Sequence, residues 1–186
     1  MSKTIWLIAE DKSDRQILEA ILQAKDISIT VRIREPDGKT GGVSRLAYQL
    51  ESLIKTVRER KSEDDCIVVL HEADHKTRTH DRKDYEQIEE ICARYADVVH
   101  IVARDEIESW LLADAGLCKW LNINPRNWDE QRKPSVELDR ALKRAGKNRY
   151  QSRYLAEILK QIDGTGDQYS PSMQLAFQVL KDAGCI

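Results

Sequence analysis

Acidic residues gather at three places where an apolar run has just ended. Glu10, Asp11 and Asp14 follow Ile5 to Ala9, Glu72 and Asp74 follow Cys66 to Leu70, and Asp105, Glu106 and Glu108 follow Val98 to Ala103. If those runs are neighbouring parallel strands, the acids meet beyond their carboxyl ends, where open α/β sheets bind ligands. Several carboxylates at one edge repel one another unless a cation neutralises them. Hard oxygen donors of this kind suit magnesium, manganese or calcium. Glu72 and Asp74 are two residues apart, so in extended backbone they point the same way and can share metal. Two ions roughly 4 Å apart would stabilise both the attacking and the leaving oxygen of a phosphodiester. In a chain with 33% charged residues any one of these acids is as readily explained by polar loops. Their joint placement after successive strands is what points to a site.

Other side chains qualify that chemistry. Lys76, Arg78, Arg82 and Lys83 form a basic loop next to the acids, suited to a phosphate backbone and equally to solvent. His71-Glu72-Ala73-Asp74-His75 spells H-E-x-x-H, which binds zinc only on a helix, where residues four apart share a face. Here it directly follows a β-branched strand, so the histidines, with His80, are expected to face solvent or to support the ligands. Trp110 lies in an apolar stretch and is expected in the core. Aromatics total only 6%, which argues against a single-strand stacking groove. The four cysteines show no C-x-x-C pair and most fall in apolar segments, so neither a zinc ribbon nor a disulfide framework is expected.

Four strand and helix pairs must position these residues. Ile5 to Ala9 is a continuous apolar run, the mark of a strand buried on both faces. Ile17, Leu18, Ile21 and Leu22 then recur at helical spacing behind the capping pair Ser13-Asp14. Ile27 to Ile33 alternates with period two, a half-buried strand ended by Glu35-Pro36-Asp37-Gly38. Leu46, Leu50, Leu53, Ile54 and Val57 mark a second helix. Cys66 to Leu70 is the third strand, and a polar loop over Lys76 to Lys83 leads to a helix carrying Tyr85, Ile88, Ile91, Cys92 and Tyr95. Val98 to Ala103 is the fourth strand, followed by a helix through Trp110. This alternation argues for a mostly parallel four-stranded sheet with right-handed crossovers, flanked by helices. Residues 1–115 form that α/β domain. Residues 116–186 read as a helical appendage packed on it, with a stripe of Leu155, Ile158, Leu159 and Ile162.

These residues resemble the TOPRIM domain, the metal-binding module of topoisomerases, primases and overcoming-lysogenization-defect nucleases. A glutamate after the first strand matches Glu10, an acid-x-acid pair after the third matches Glu72-x-Asp74, and the nuclease branch's extra acid matches Asp14. Its later acid matches Glu106 or Glu108. The chain also looks like short bacterial TOPRIM-like proteins, most specifically at Glu106-Ile107-Glu108-Ser109-Trp110-Leu111-Leu112-Ala113-Asp114, with weaker likeness at Lys133-Pro134 and Ser170-Pro171-Ser172. Two positions depart from the pattern: Asp11 replaces a glycine, and Glu72 replaces an aspartate. The resemblance implies a TOPRIM-like fold and a magnesium- or manganese-dependent nuclease with Glu10, Asp14, Glu72, Asp74 and Glu108 as catalytic residues. It also implies Glu106 as a further ligand, nucleic acid as partner, and a role beside an ATPase partner in antiviral defence.

The net charge is -2, so the molecule has no bulk attraction for phosphate, and any nucleic-acid binding must be local or bridged by metal. The apolar runs are far shorter than the roughly 20 residues of a membrane helix, and Glu10-Asp11 leaves no room for a secretory core. A cytoplasmic protein without membrane contact is expected. Three other functions fit parts of the pattern. A phosphorelay receiver would share the opening acid pair but needs an aspartate closing its third strand, where this chain has His71-Glu72. A zinc hydrolase needs the H-E-x-x-H helix. A non-catalytic module that uses the acidic edge to hold a basic partner predicts the same sheet and differs only in metal binding and turnover.

Overall fold

The computed structural model describes residues 3–37, 42–73, 79–129 and 133–186, with the side chains at 79–81 and 152 outside that description. Four strands, β1 (Thr4–Ile8), β2 (Thr30–Arg34), β3 (Cys66–Ala73) and β4 (Val98–Arg104), form one sheet in the order β2-β1-β3-β4. Every neighbouring pair is parallel. The central strand β1 is buried along its whole length, as its unbroken apolar run requires.

Alternate residues of the sheet feed two separate cores. Ile5, Leu7, Val68 and Leu70 pack on one face, while Trp6, Ile8, Ile67 and Val69 pack on the other. The second face is covered by α2 (Val43–Arg58) and α3 (Thr79–Ala93), through Leu46, Leu50, Ile54, Ile88 and Ile91. The first face is covered by α1 (Lys12–Ala24), α4 (Glu108–Ala113), α5 (Ala115–Leu121), α6 (Pro134–Arg144), α7 (Leu155–Leu159) and α8 (Pro171–Asp182). Helices beyond residue 116 therefore share a core with the sheet. Met173, Phe177 and Leu180 of α8 lie in the same cluster as Ile101 and Ala103 of β4.

Four local expectations are corrected. Helix α1 is capped by Asp11, whose side chain accepts the Ser13 N–H at 2.6 Å while Asp14 accepts the Asp11 N–H at 3.3 Å. This is a capping box built on two aspartates. Strand β2 begins at Thr30, with Ile27 and Ile29 packed on the core ahead of it. Helix α3 begins at Thr79, so part of the expected loop from Lys76 to Lys83 is helical. Finally, Cys66 and Cys185 form a disulfide that ties the chain's last turn to the start of β3. The two are 119 residues apart in sequence, and only tertiary structure brings them together. Cys92 and Cys118 remain buried thiols, as expected of small apolar side chains.

Candidate functional site

Two strand ends and two helix starts deliver carboxylates to the same edge of the sheet. Glu10 sits in the turn between β1 and α1, and Asp14 is the third residue of α1. Glu72 belongs to β3 itself, which runs through Ala73. Glu108 is the first residue of α4. The β1–β3 register sets Glu10 beside the end of β3, where its Oε1 lies 3.4 Å from the Glu72 N–H. After β4 the chain turns through Asp105, in the left-handed region at φ 61°, with its N–H donating to the Ala73 carbonyl at 3.0 Å. That turn presents the Ile107 N–H to Glu72 Oε1 at 2.8 Å.

The four carboxylates sense one another. Burial pushes Glu10 up to about 7, with the Asp11 charge adding to the shift. Asp14, 5% exposed, is pushed up to about 8 by burial and by the charges of Asp11, Glu10 and Glu108. Glu72 is pushed up to about 9, first by burial and then by Glu108, Asp14 and Glu10. Burial also raises Glu108, against the pull of a 2.6 Å hydrogen bond donated by the Tyr150 hydroxyl. Burial and the Glu108 charge hold the Tyr150 phenol protonated, so it remains a donor. Carboxylates that mutually favour protonation are a store of repulsion that either protons or a cation relieves.

The donor set fits a hard divalent cation in its chemistry: all oxygen, half-buried and mutually repelling. Its present geometry is not closed around an ion. Among the described residues no group of three or more His, Cys, Asp or Glu side chains is arranged to hold a metal. Glu72, Glu108 and Asp14 each turn an oxygen to a local donor instead, namely Ile107 N–H, Tyr150 O–H and Asp11 N–H. Asp74, the partner expected of Glu72, lies outside the described residues.

Other expected residues fall elsewhere. Glu106 turns its Oε2 to the Ser135 N–H at 2.6 Å, where it caps the first turn of α6, while its charge still bears on Glu108. Arg82 and Lys83 are exposed on α3, with Arg82 paired to Glu86 at 3.1 Å. Lys76 and Arg78 lie outside the described residues, as do His75 and the His80 side chain. His71 does not face solvent: it is 1% exposed and stacks between Tyr85 at 5.3 Å and His100 at 5.0 Å. Its Nδ1–H donates to the Glu72 carbonyl at 3.0 Å, and burial lowers its pKa, so the ring is a neutral prop beneath Glu72. Because His71 and Glu72 are in a strand, the H-E-x-x-H reading loses the helix that it needs. Trp110 is fully buried, with its indole N–H on Ser172 at 2.8 Å.

Tyr150 went unrecognised in the sequence. It lies 42 residues beyond Glu108 in a stretch without periodic pattern, and nothing in its surroundings marks it. Comparison of the chain with protein families, curated proteins and solved structures finds no match.

Proposed function

We propose that the protein is a divalent-metal-dependent nuclease of TOPRIM type, acting in the cytoplasm with an ATPase partner. The reading rests on one observation, the convergence of Glu10, Asp14, Glu72 and Glu108 from separate elements into a mutually repelling cluster. Glu10, Asp14, Glu72 and Glu108 would hold magnesium or manganese, with Asp74 as a further ligand. The bound ion would offset phosphate charge and acidify a water for attack on phosphorus. Tyr150 keeps Glu108 oriented, and the Ile107 N–H keeps Glu72 oriented. Partial burial of the carboxylates strengthens their electrostatic interactions.

The test is cleavage of DNA and RNA with manganese, with and without a candidate ATPase, comparing the parent chain with Glu72→Gln. The amide oxygen still accepts from the Ile107 N–H, so the fold is kept while the charge is lost. Turnover should fall about 100-fold or more, since metal stabilises the transition state by several kcal/mol. Equal activity in both proteins would assign the cleavage elsewhere. The site oxygens already engaged by the Ile107 N–H, the Tyr150 hydroxyl and the Asp11 N–H favour a second reading, a non-catalytic module whose acidic edge holds a basic partner. That reading gains if the parent chain neither binds metal nor cleaves.

A further inference from the structure

A groove of about 870 Å³ runs between the edge strand β2 and helix α2, with Lys12 at the start of α1 in its wall. Lys12, Arg34, Tyr48, Gln49, Thr56 and Arg60 line it. From Tyr48 to Arg58, its last residue, helix α2 rises about 15 Å, the length of about four stacked nucleotides at 3.4 Å each. The groove joins the site through covalent neighbours. Lys12 is the first residue of the helix whose third is Asp14, and the Arg34 carbonyl accepts the Ala9 N–H at 3.2 Å, one residue before Glu10.

The walls are built to hold their shape. Gln49 accepts the Asp37 N–H at 2.9 Å and donates to the Asp37 carbonyl at 3.2 Å, and Arg45 donates to the same carbonyl at 2.9 Å. These bonds pin the segment after β2 to α2. The groove offers cationic side chains: Arg34 lines it with its guanidinium 5.6 Å from the Trp6 ring and its Nε buried, and among the described residues Arg60 enters no ion pair. Lys12 is 3.4 Å from Glu35, an exposed pair that a phosphate can displace at little cost. Glu35 and Asp37 also line the groove, so the positive charge is modest and lies toward Arg34 and Arg60. Tyr48, 84% exposed, presents its ring at one end. The low aromatic content excludes a run of stacked bases but leaves this one platform.

We infer that this groove seats a single-stranded nucleic acid, with phosphates on Arg34 and Arg60 and one base on Tyr48, leading the strand to the carboxylate cluster. The inference rests on the nuclease reading for its purpose and not for its test. One strand and one helix bound a channel that fits a single chain, and the stacking platform requires an unpaired base.

The experiment is fluorescence anisotropy with labelled single strands of about twelve nucleotides, DNA and RNA, and a duplex of equal length. It uses the Glu72→Gln protein with magnesium, so that cleavage is slowed about 100-fold or more. Either single strand should bind at least about 10-fold tighter than the duplex, and Tyr48→Ala should weaken it about 10-fold while Tyr48→Phe does not. Arg60→Gln should reduce the slope of log affinity against log salt by about 0.7. Duplex binding as tight as the single strand, or unchanged binding in both Tyr48→Ala and Arg60→Gln, would overturn the inference. Because the assay needs no turnover, its failure is separate from a failure of the parent chain to cleave.

Discussion

At the scale of single residues, the site is governed by which proton each buried oxygen keeps. Tyr150 donates at 2.6 Å to Glu108, the carboxylate that most strongly raises Glu72. A donor that fixes a ligand's orientation typically contributes 10- to 100-fold to metal affinity. Tyr150→Phe should therefore weaken magnesium or manganese binding by about that factor, as read by titration calorimetry, with little change in the fold. Unchanged affinity would show that Glu108 does not ligate. His71 acts in a different way: neutral and stacked, it supports the Glu72 backbone without joining the cluster.

At the scale of elements, α8 and the loop before α6 are fastened to the domain by one buried carboxylate. Asp129, 1% exposed, accepts from the Ser170 hydroxyl at 2.9 Å, the Ser172 N–H at 2.7 Å and the Ser109 hydroxyl at 3.3 Å. Ser170 also caps α8 by accepting the Met173 N–H at 3.2 Å. Asp129→Ala would strand these donors in the core, and buried donors that lose their acceptor cost about 1–3 kcal/mol each. Chemical denaturation should show a loss of about 3 kcal/mol. A loss under about 0.5 kcal/mol, the level of an ordinary surface change, would mean that water replaces the carboxylate. Asp114 plays the corresponding part for the loop after α7, accepting N–H groups from Asp163, Gly164 and Thr165.

At the scale of the whole molecule, the raised carboxylates link stability to pH and to metal. In the metal-free protein Glu10, Asp14 and Glu72 hold protons up to about 7, 8 and 9, whereas in the unfolded chain they lose them near 4. Where the folded state binds more protons, stability falls as pH rises. His71 and His100, held neutral by burial, act in the opposite sense only below their ordinary value of 6.5. Between pH 6.5 and 9 the carboxylates act alone, so the melting temperature should drop across that window. A cation bound only to the folded state should raise it and flatten the slope. A metal-free melting temperature that rises from pH 6.5 to 9 would contradict the buried, repelling cluster. Among the described residues no helix is long and apolar enough to cross a membrane.

The pattern of short apolar runs alternating with helical stripes determined the parallel four-stranded sheet, because residues buried on two faces must be apolar at every position. It also located Glu10, Asp14, Glu72 and Glu108, since in such a sheet polar residues after strands share one edge. Tertiary structure alone decided how those acids divide. Glu108 joins Glu72 and Asp14, whereas Glu106, two residues earlier, caps α6, because Glu106 lies in the turn ahead of α4 and Glu108 opens the helix. Tyr150, the Cys66–Cys185 bond and the stacking of His71 on His100 depend on contacts between segments far apart in the chain. No local period encodes such contacts, so only the packed fold brings them together.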